Sequence, residues 1–437
     1  MSACAAACTG AAVRRWRGLG SRRRCHLIAI LILVGALQAD RANGQAISQR
    51  GFAEAAAQLF PDKTPNDPTW AVSDVLVREE LFAKPVAWVQ FAVGADLRLN
   101  SHNQVEDEWR VDVSDRGVRR PRLSLRRATA TIAFRKLTLD VGKQFIRWGK
   151  ADIVNPTDHF APRDYLNVVD TEFLPVTGGR ATLQATPQDS LELVWLPRFT
   201  PSRIPLLNQR WTAVPPDPPL VQIVDAGAVL PTKSQSGLRW SHVGNRVEYS
   251  LSFFDGVNHL PNIDQSVKPT TLLPEIEILK RYPEIRSYGA DLAMPTPWLT
   301  VKGEAAYFTS GSSGTDEYVV YVIQVERQTG EWVLVGGYAG EAVTNRRAQL
   351  TFAPDRGLAK SFVARASYTI DPTRSLALET AVRQNAAGAY GRAEYSQAYG
   401  QHWRATFAGV IIGGDRDDFL GQYRQNSHLS ITLRCSF

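Results

Sequence analysis

The side chains able to do chemistry are few and dispersed. Beyond residue 46 the histidines are His102, His159, His242, His259, His402 and His428. None has ligand spacing such as His-Glu-x-x-His, which sets two imidazoles on one helix face. Cys4, Cys8 and Cys25 precede residue 46, and Cys435 alone follows it. A single thiol can close no intrachain disulfide and build no thiolate metal site. The run Ser310-Gly311-Ser312-Ser313-Gly314 lacks the Gly-x-Ser-x-Gly order of a nucleophile elbow and reads as a flexible loop. There is no phosphate-cradling or dinucleotide-binding glycine motif. The sequence therefore points away from an enzyme, with no catalytic residue, cofactor or metal expected.

What recurs is charge placed on one parity of alternating segments. In Val89–Asn100, Val89, Phe91, Val93, Ala95, Leu97 and Leu99 share one face, and Gln90, Asp96, Arg98 and Asn100 fall on the other. Side chains alternate with period two along a strand, so such a segment has one greasy face and one polar face. Glu248, Asp291, Lys302, Glu304, Arg365, Glu379, Arg383, Arg392, Glu394 and Arg404 occupy the polar parity of similar segments. A soluble β-sandwich shows the same alternation. The elements that carry these charges must decide between the two.

The connections between segments alternate between short and long. Arg135-Lys136, Gly244-Asn245, Thr329-Gly330, Asp371-Pro372-Thr373 and Gly400-Gln401 are short and made of turn formers. Stretches 101–121, 149–176, 197–236, 255–283 and 341–358 are long and polar. Short turns at one end and long loops at the other, with strands of about ten residues, are the pattern of a transmembrane β-barrel. Trp88, Trp298 and Trp403 each follow a short turn, where an aromatic girdle belongs. The expected fold is all-β, a closed antiparallel transmembrane β-barrel of about 18 strands, with 16 as the alternative. Its short turns are periplasmic and its long loops extracellular. Within the loops, 158–174 and 274–282 are expected to form small helices. Loop 197–219, with seven prolines, is expected to be extended.

In such a barrel an Arg or Lys facing lipid near the midplane costs roughly 2–4 kcal/mol. The charges on the polar parity should therefore face inward, and Asp96, Arg98, Glu248, Lys302, Glu304, Arg365, Glu379, Arg383, Arg392, Glu394 and Arg404 are the pore-lining candidates. Two readings stay open for them: an ion-selective lining, or cross-strand pairs that fill space.

Residues 1–46 carry seven arginines and one acid, and without them the net charge falls from +7 to +1. The basic excess is local, so no nucleic-acid partner is expected. An apolar run at 27–37 follows the arginines, and Gly44-Gln45-Ala46 follows that. Basic, apolar, then small is the order of a cleaved signal peptide. Eleven apolar residues are too few for a membrane-crossing helix, which needs roughly 20. The expected organisation is a signal peptide at 1–46 and a barrel at 47–437. The last strand places Leu429, Ile431, Leu433, Cys435 and Phe437 on one face and ends on the aromatic. It resembles the assembly signal of bacterial outer-membrane proteins. That resemblance implies outer-membrane lipid and the barrel-assembly machinery as partners.

The segment Asp140-Val141-Gly142-Lys143-Gln144-Phe145-Ile146-Arg147-Trp148-Gly149, followed by Asn155-Pro156-Thr157-Asp158, resembles a family of porin-like outer-membrane proteins of unknown function. In that family a Gly-Arg-Gln strand ends at Trp-Gly and an Asn-Pro-x-Asp loop follows. Here Lys143 stands where the family has Arg. The resemblance implies the barrel fold and brings no substrate. The expected function is a porin-like channel for passive or weakly selective passage of small solutes. The alternatives are a loop-plugged structural or partner-binding barrel, or a component of an exporter. Loop 149–176 could constrict the lumen or seal its mouth.

Overall fold

The computed structural model describes residues 46–212, 222–268, 275–347 and 353–437. The expected signal peptide therefore lies outside the described residues except for Ala46, as do 213–219 of the proline-rich loop. No helix among the described residues is long and apolar enough to cross a membrane.

Eighteen strands form one closed antiparallel sheet. They are β1 (Ala46–Leu59), β2 (Ala71–Val86), β3 (Val89–Asn100), β4 (Leu123–Phe134), β5 (Leu137–Gln144) and β6 (Val176–Gln184). Then come β7 (Asp189–Leu196), β8 (Gln235–Val243), β9 (Glu248–Val257), β10 (Glu284–Pro295), β11 (Thr300–Thr309) and β12 (Glu317–Thr329). The last six are β13 (Trp332–Asn345), β14 (Ser361–Asp371), β15 (Arg374–Arg383), β16 (Gly388–Tyr399), β17 (Trp403–Gly414) and β18 (His428–Ser436). Each pairs with its neighbours in sequence. The sheet closes where β18 meets β1, from Leu59↔Leu429 to Phe52↔Ser436. Closure leaves no open edge, and in lipid each unpaired backbone group would cost several kcal/mol.

The connections keep the expected asymmetry. Those at one end are two to four residues long, and those at the other reach 38. The greasy parity faces out, as Phe91, Val93, Leu251, Phe362, Leu378, Phe407 and Ile411 show by their exposure. Trp88, Trp298, Trp332 and Trp403 are also exposed and ring the short-turn end. That is where an amphipathic ring with an N–H belongs.

The loop helices are a correction. In 158–174 the structure has a small hairpin, Arg163–Asp164 with Glu172–Phe173. Within 274–282, Glu275–Arg281 is a strand. It pairs antiparallel with Asn262–Lys268 and parallel with Gln222–Val229 to make a three-stranded sheet in the long loops. The alternation Glu275-Ile276-Glu277-Ile278 has period two, and that period governs here. The only helix among the described residues is the 3-10 turn Gly421–Asn426.

Two positions make the closure testable. Phe437 exchanges both backbone hydrogen bonds with Gly51, at 2.9 and 3.0 Å. Its ring lies over Gly51, where an added Cβ would come within 2.5 Å of it. Deleting Phe437 removes two seam hydrogen bonds and the seam's last apolar cover. The heat-modifiable, folded fraction in the outer membrane should fall severalfold on gels, and an unchanged fraction would contradict this seam. Gly142 in β5 has φ +120°, and a Cβ there would sit 2.1 Å from the Ala128 carbonyl oxygen. Gly142→Ala should cost about 1–3 kcal/mol from backbone strain alone, with the clash in addition. A clear loss of urea resistance in refolded protein is the expected result.

Candidate functional site

The site is the barrel interior, and its central element is loop 145–175. The loop begins where β5 ends at Gln144. Asp158 folds it back on itself. One carboxylate oxygen accepts the N–H groups of Trp148 and Gly149, at 2.6 and 2.7 Å, and the other faces Arg147 at 3.3 Å. The Trp148 indole N–H donates to Glu192 on β7 at 2.5 Å. Its ring meets Phe160 edge-on, centroids 4.9 Å apart. Both rings press on the wall at Gly237 of β8, where a Cβ would come within 2.7 Å of each. Glycine is what lets the loop sit that close.

Glu304 on β11 receives the middle of the loop. Its carboxylate accepts the N–H groups of Lys150 (2.9 Å), Ala151 (3.0 Å) and Thr157 (2.8 Å) and the Thr157 hydroxyl (2.9 Å). Beside it, Lys302 and Asp152 pair at 3.0 Å, and Gln324 accepts the Asp152 N–H at 3.0 Å. Lys150 reaches Glu248 at 3.3 Å and Asp291 at 3.4 Å. Ile146, Trp148, Val154 and Phe160 bury against Val194, Phe254, Phe308 and Val322. The loop is thus strapped along the inner face of the β7–β13 wall, its apolar residues against the strands.

Further ties hold the loops to one another. His259 lies between the carbonyls of Thr200 (2.6 Å) and His159 (2.9 Å), so it joins three long loops. Burial pushes His259 down to about 4 and His159 down to about 3. Arg210 is fully buried over the Phe60 ring and donates to the carbonyls of Thr69 (2.6 Å) and Gln425 (3.1 Å). Asp164 pairs with Arg120 at 2.9 Å and Arg203 at 3.2 Å. Burial alone would raise its carboxyl, but the two guanidinium groups hold it well below the usual range. Among the described residues no group of three His, Cys, Asp or Glu is placed to hold a metal ion.

Space remains on both flanks of loop 145–175. A cavity of about 310 Å³ lies between Asp152, Val154 and Val168 of the loop and Arg365, Glu379 and Tyr390 of the facing wall. Another, of about 270 Å³, lies between Asn167, Asp170 and Glu172 of the loop and Glu54, Asp74 and Arg98 of β1–β3. On the second flank Arg78 holds Asp96 with two contacts, 2.7 and 2.8 Å, and Arg98 holds Glu172 at 2.6 Å.

All eleven charged candidates face the interior, but they divide into two groups. Arg365, Glu379, Arg392, Glu394, Arg404, Glu248 and Lys302 keep solvent-accessible surface there. Arg392 pairs with Glu394 at 3.0 Å, and Arg404 donates to Ser396 at 3.1 Å. Asp96, Arg98 and Glu304 are buried and hold partners instead. Arg383 pairs with Asp418 at 2.9 Å and donates to the Gly357 carbonyl at 3.1 Å, so it anchors loops. The motif residues are likewise anchors. Buried Lys143 meets Asp115 at 2.6 Å, Gln144 donates to the Gly178 carbonyl at 3.2 Å, and Asn155 accepts from Arg163 at 3.3 Å, next to Pro156. In the closing strand Leu429, Ile431, Leu433 and Phe437 are exposed on the lipid face and Cys435 is half-buried.

A closed 18-stranded antiparallel sheet, greasy outside and charged inside, with one long loop folded into its interior, has the architecture of an outer-membrane β-barrel. Solved structures share that architecture. OccAB4 of Acinetobacter baumannii aligns with TM-score 0.53 at 10% identity, over 91% of this chain and 98% of its own. OpdQ of Pseudomonas aeruginosa gives 0.52 at 10%, over 91% and 99%. A BenF-like porin from Pseudomonas fluorescens Pf-5 gives 0.54 at 11%, over 90% and 98%. At these identities the likeness is one of fold. No family model matches the chain, and no curated protein matches it in sequence.

Proposed function

We propose that this barrel is a porin-like channel through which small hydrophilic or amphiphilic solutes cross the outer membrane, passively or with weak selectivity. The observation that carries this reading is the position of loop 145–175. Its apolar side is spent on the β7–β13 wall, and cavities with charged linings remain on either flank. A loop built only to seal would turn that apolar side across the mouth. The mixed signs of Arg365, Glu379, Arg392 and Glu394 favour neither cations nor anions strongly. The long loops face the cell exterior and the short turns the periplasm, as in other outer-membrane barrels. The likeness of Gly142-Lys143-Gln144, Trp148-Gly149 and Asn155-Pro156-Thr157-Asp158 to a porin-like family agrees with this reading, as does the likeness of the terminal strand to an assembly signal.

Liposome swelling tests it. Vesicles containing the purified protein should swell in isotonic arabinose or glucose and progressively less in larger sugars. Vesicles that behave as protein-free controls for every sugar would favour the other reading, a loop-filled barrel that binds a partner.

A further inference from the structure

The lipid-facing side of the wall carries a groove of about 660 Å³ that crosses the strands from β13 to β1. In register order its lower edge is Trp332, Tyr368, Leu376, Tyr395, Phe407 and Ile431, one outward residue from each of β13–β18. The next outward row towards the long-loop end holds Ala366, Ala393 and Gly409, with Leu378 between the two alanines. Large side chains below and small ones above leave the hollow. The groove is oblique to the membrane. Trp332 is the first residue of β13, at the short-turn end, and Leu59 is the last of β1, at the long-loop end. Six strand spacings separate them. At about 4.8 Å each, that is about 29 Å along the wall. With strands tilted roughly 35–45°, the path rises about 17–20 Å through the bilayer. One leaflet is half of a hydrocarbon core about 30 Å thick. The groove thus has the length of a single acyl chain, and acyl chains are what surrounds it.

The short-turn end of the groove is polar. Arg374, two residues before Leu376, shares its outward parity and lies opposite Gln397. It holds Asp371 through Nε at 2.6 Å, and 47% of its side chain is exposed. The Tyr395 hydroxyl donates to Gln397 at 2.9 Å and lies beside the Arg374 guanidinium. Next to them the Trp332 and Tyr368 rings pack together, centroids 4.6 Å apart. A guanidinium with a hydroxyl and an amide beside it, at the depth of the aromatic girdle, matches the phosphate of a lipid headgroup. The other end of the groove closes on Leu59 and Leu429, which offer a headgroup nothing.

We propose that this groove binds one glycerophospholipid of the leaflet at the short-turn end. An acyl chain lies along the groove, and the phosphate sits at Arg374, Gln397 and Tyr395. A chain in the hollow gains dispersion contacts on three sides, where a flat stretch of wall offers one. The polar end fixes which leaflet the lipid comes from. The site is on the outside of the barrel, so it stands or falls independently of conduction.

Native mass spectrometry reads the occupancy. Purified, heat-modifiable protein in detergent, titrated with dioleoylphosphatidylglycerol, should take up a first lipid more tightly than any later one. A Cβ at Gly409 would meet Leu429 at 3.6 Å, an ordinary contact, so the wall accepts a larger residue there. Gly409→Leu with Ala393→Leu fills the groove and should bring the first lipid down to the affinity of the later ones. Arg374→Gln should weaken the first lipid on the order of fivefold, the upper end for an exposed ion pair. Dioleoylglycerol, which lacks the phosphate, should bind the unaltered protein no better than phosphatidylglycerol binds that variant. Ala290→Leu, on the exposed face of β10, should change nothing. A filled variant that is still heat-modifiable and still takes up its first lipid as the unaltered protein does overturns the proposal. So does a first site that prefers lipid A over phosphatidylglycerol, since lipid A would enter from the long-loop end.

Discussion

Glu304→Ala is expected to raise single-channel conductance by roughly twofold or more, because hydrogen bonds to a charged group contribute about 1.5–3 kcal/mol each. Glu304 accepts four of them from loop 145–175: from the backbones of Lys150, Ala151 and Thr157, and from the Thr157 hydroxyl. The other wall contacts of this segment are made by the side chain of Lys150 and by Asp152, so removal leaves the N–H groups of Lys150, Ala151 and Thr157 without their acceptor. The contributions are not additive, but losing even two should let the 150–157 segment leave the wall. The contacts of Trp148 and Phe160 with Gly237 lie at the loop's base and are not expected to hold that segment alone. Glu304→Gln keeps one acceptor oxygen and should fall between the two. Bilayer recordings read the conductance, and limited proteolysis within 150–157 reads the release. Unaltered conductance together with unaltered protease resistance would show that the apolar contacts, not Glu304, hold the loop.

Arg365→Glu is expected to shift ion preference towards cations by about threefold or more, because charges in a narrow, low-dielectric tube focus their field on the path. Arg365 faces the larger cavity, is exposed there, and makes no ion pair within 4.0 Å among the described residues. Its charge is therefore exposed to the solvent of the cavity. Glu379 stands opposite in register on β15, so the exchange turns a mixed pair into two carboxylates. The barrel should still fold, since Arg365 holds no loop. Arg383 is a poor probe by comparison, because Arg383→Glu would set a carboxylate against Asp418 and the Gly357 carbonyl. Reversal potentials in a salt gradient decide the matter. A folded Arg365→Glu protein with unaltered preference would place ion flow on the other flank of the loop.

The strand framework was legible because lipid enforces it. A one-residue slip would turn Asp96, Arg98 or Lys302 outward at a cost of roughly 2–4 kcal/mol for an Arg or Lys near the midplane, so parity reads directly from the sequence. Leu429 to Phe437 were legible for the same reason. The loops were not, because no such solvent rule acts on them. Segment 158–174 was expected to be helical on its mixed composition, yet its Asp164 is drawn to Arg120 and Arg203, 44 and 39 residues away. Glu304 shows the same limit. Its inward parity was visible, but its partners lie 147–154 residues earlier in the chain, and nothing local marks them. Parity alone therefore gave no way to sort the charged set into residues with free surface and residues that anchor loops.

The central claim is that a water-filled path runs beside loop 145–175, and single-channel recording tests it most directly. Purified, heat-modifiable protein added to a planar bilayer in potassium chloride should produce discrete, uniform current steps. Those steps should grow when Glu304 is replaced by alanine. Protein that inserts in its folded form and yields no steps, with or without Glu304, would contradict the account and show an interior closed by its own loops.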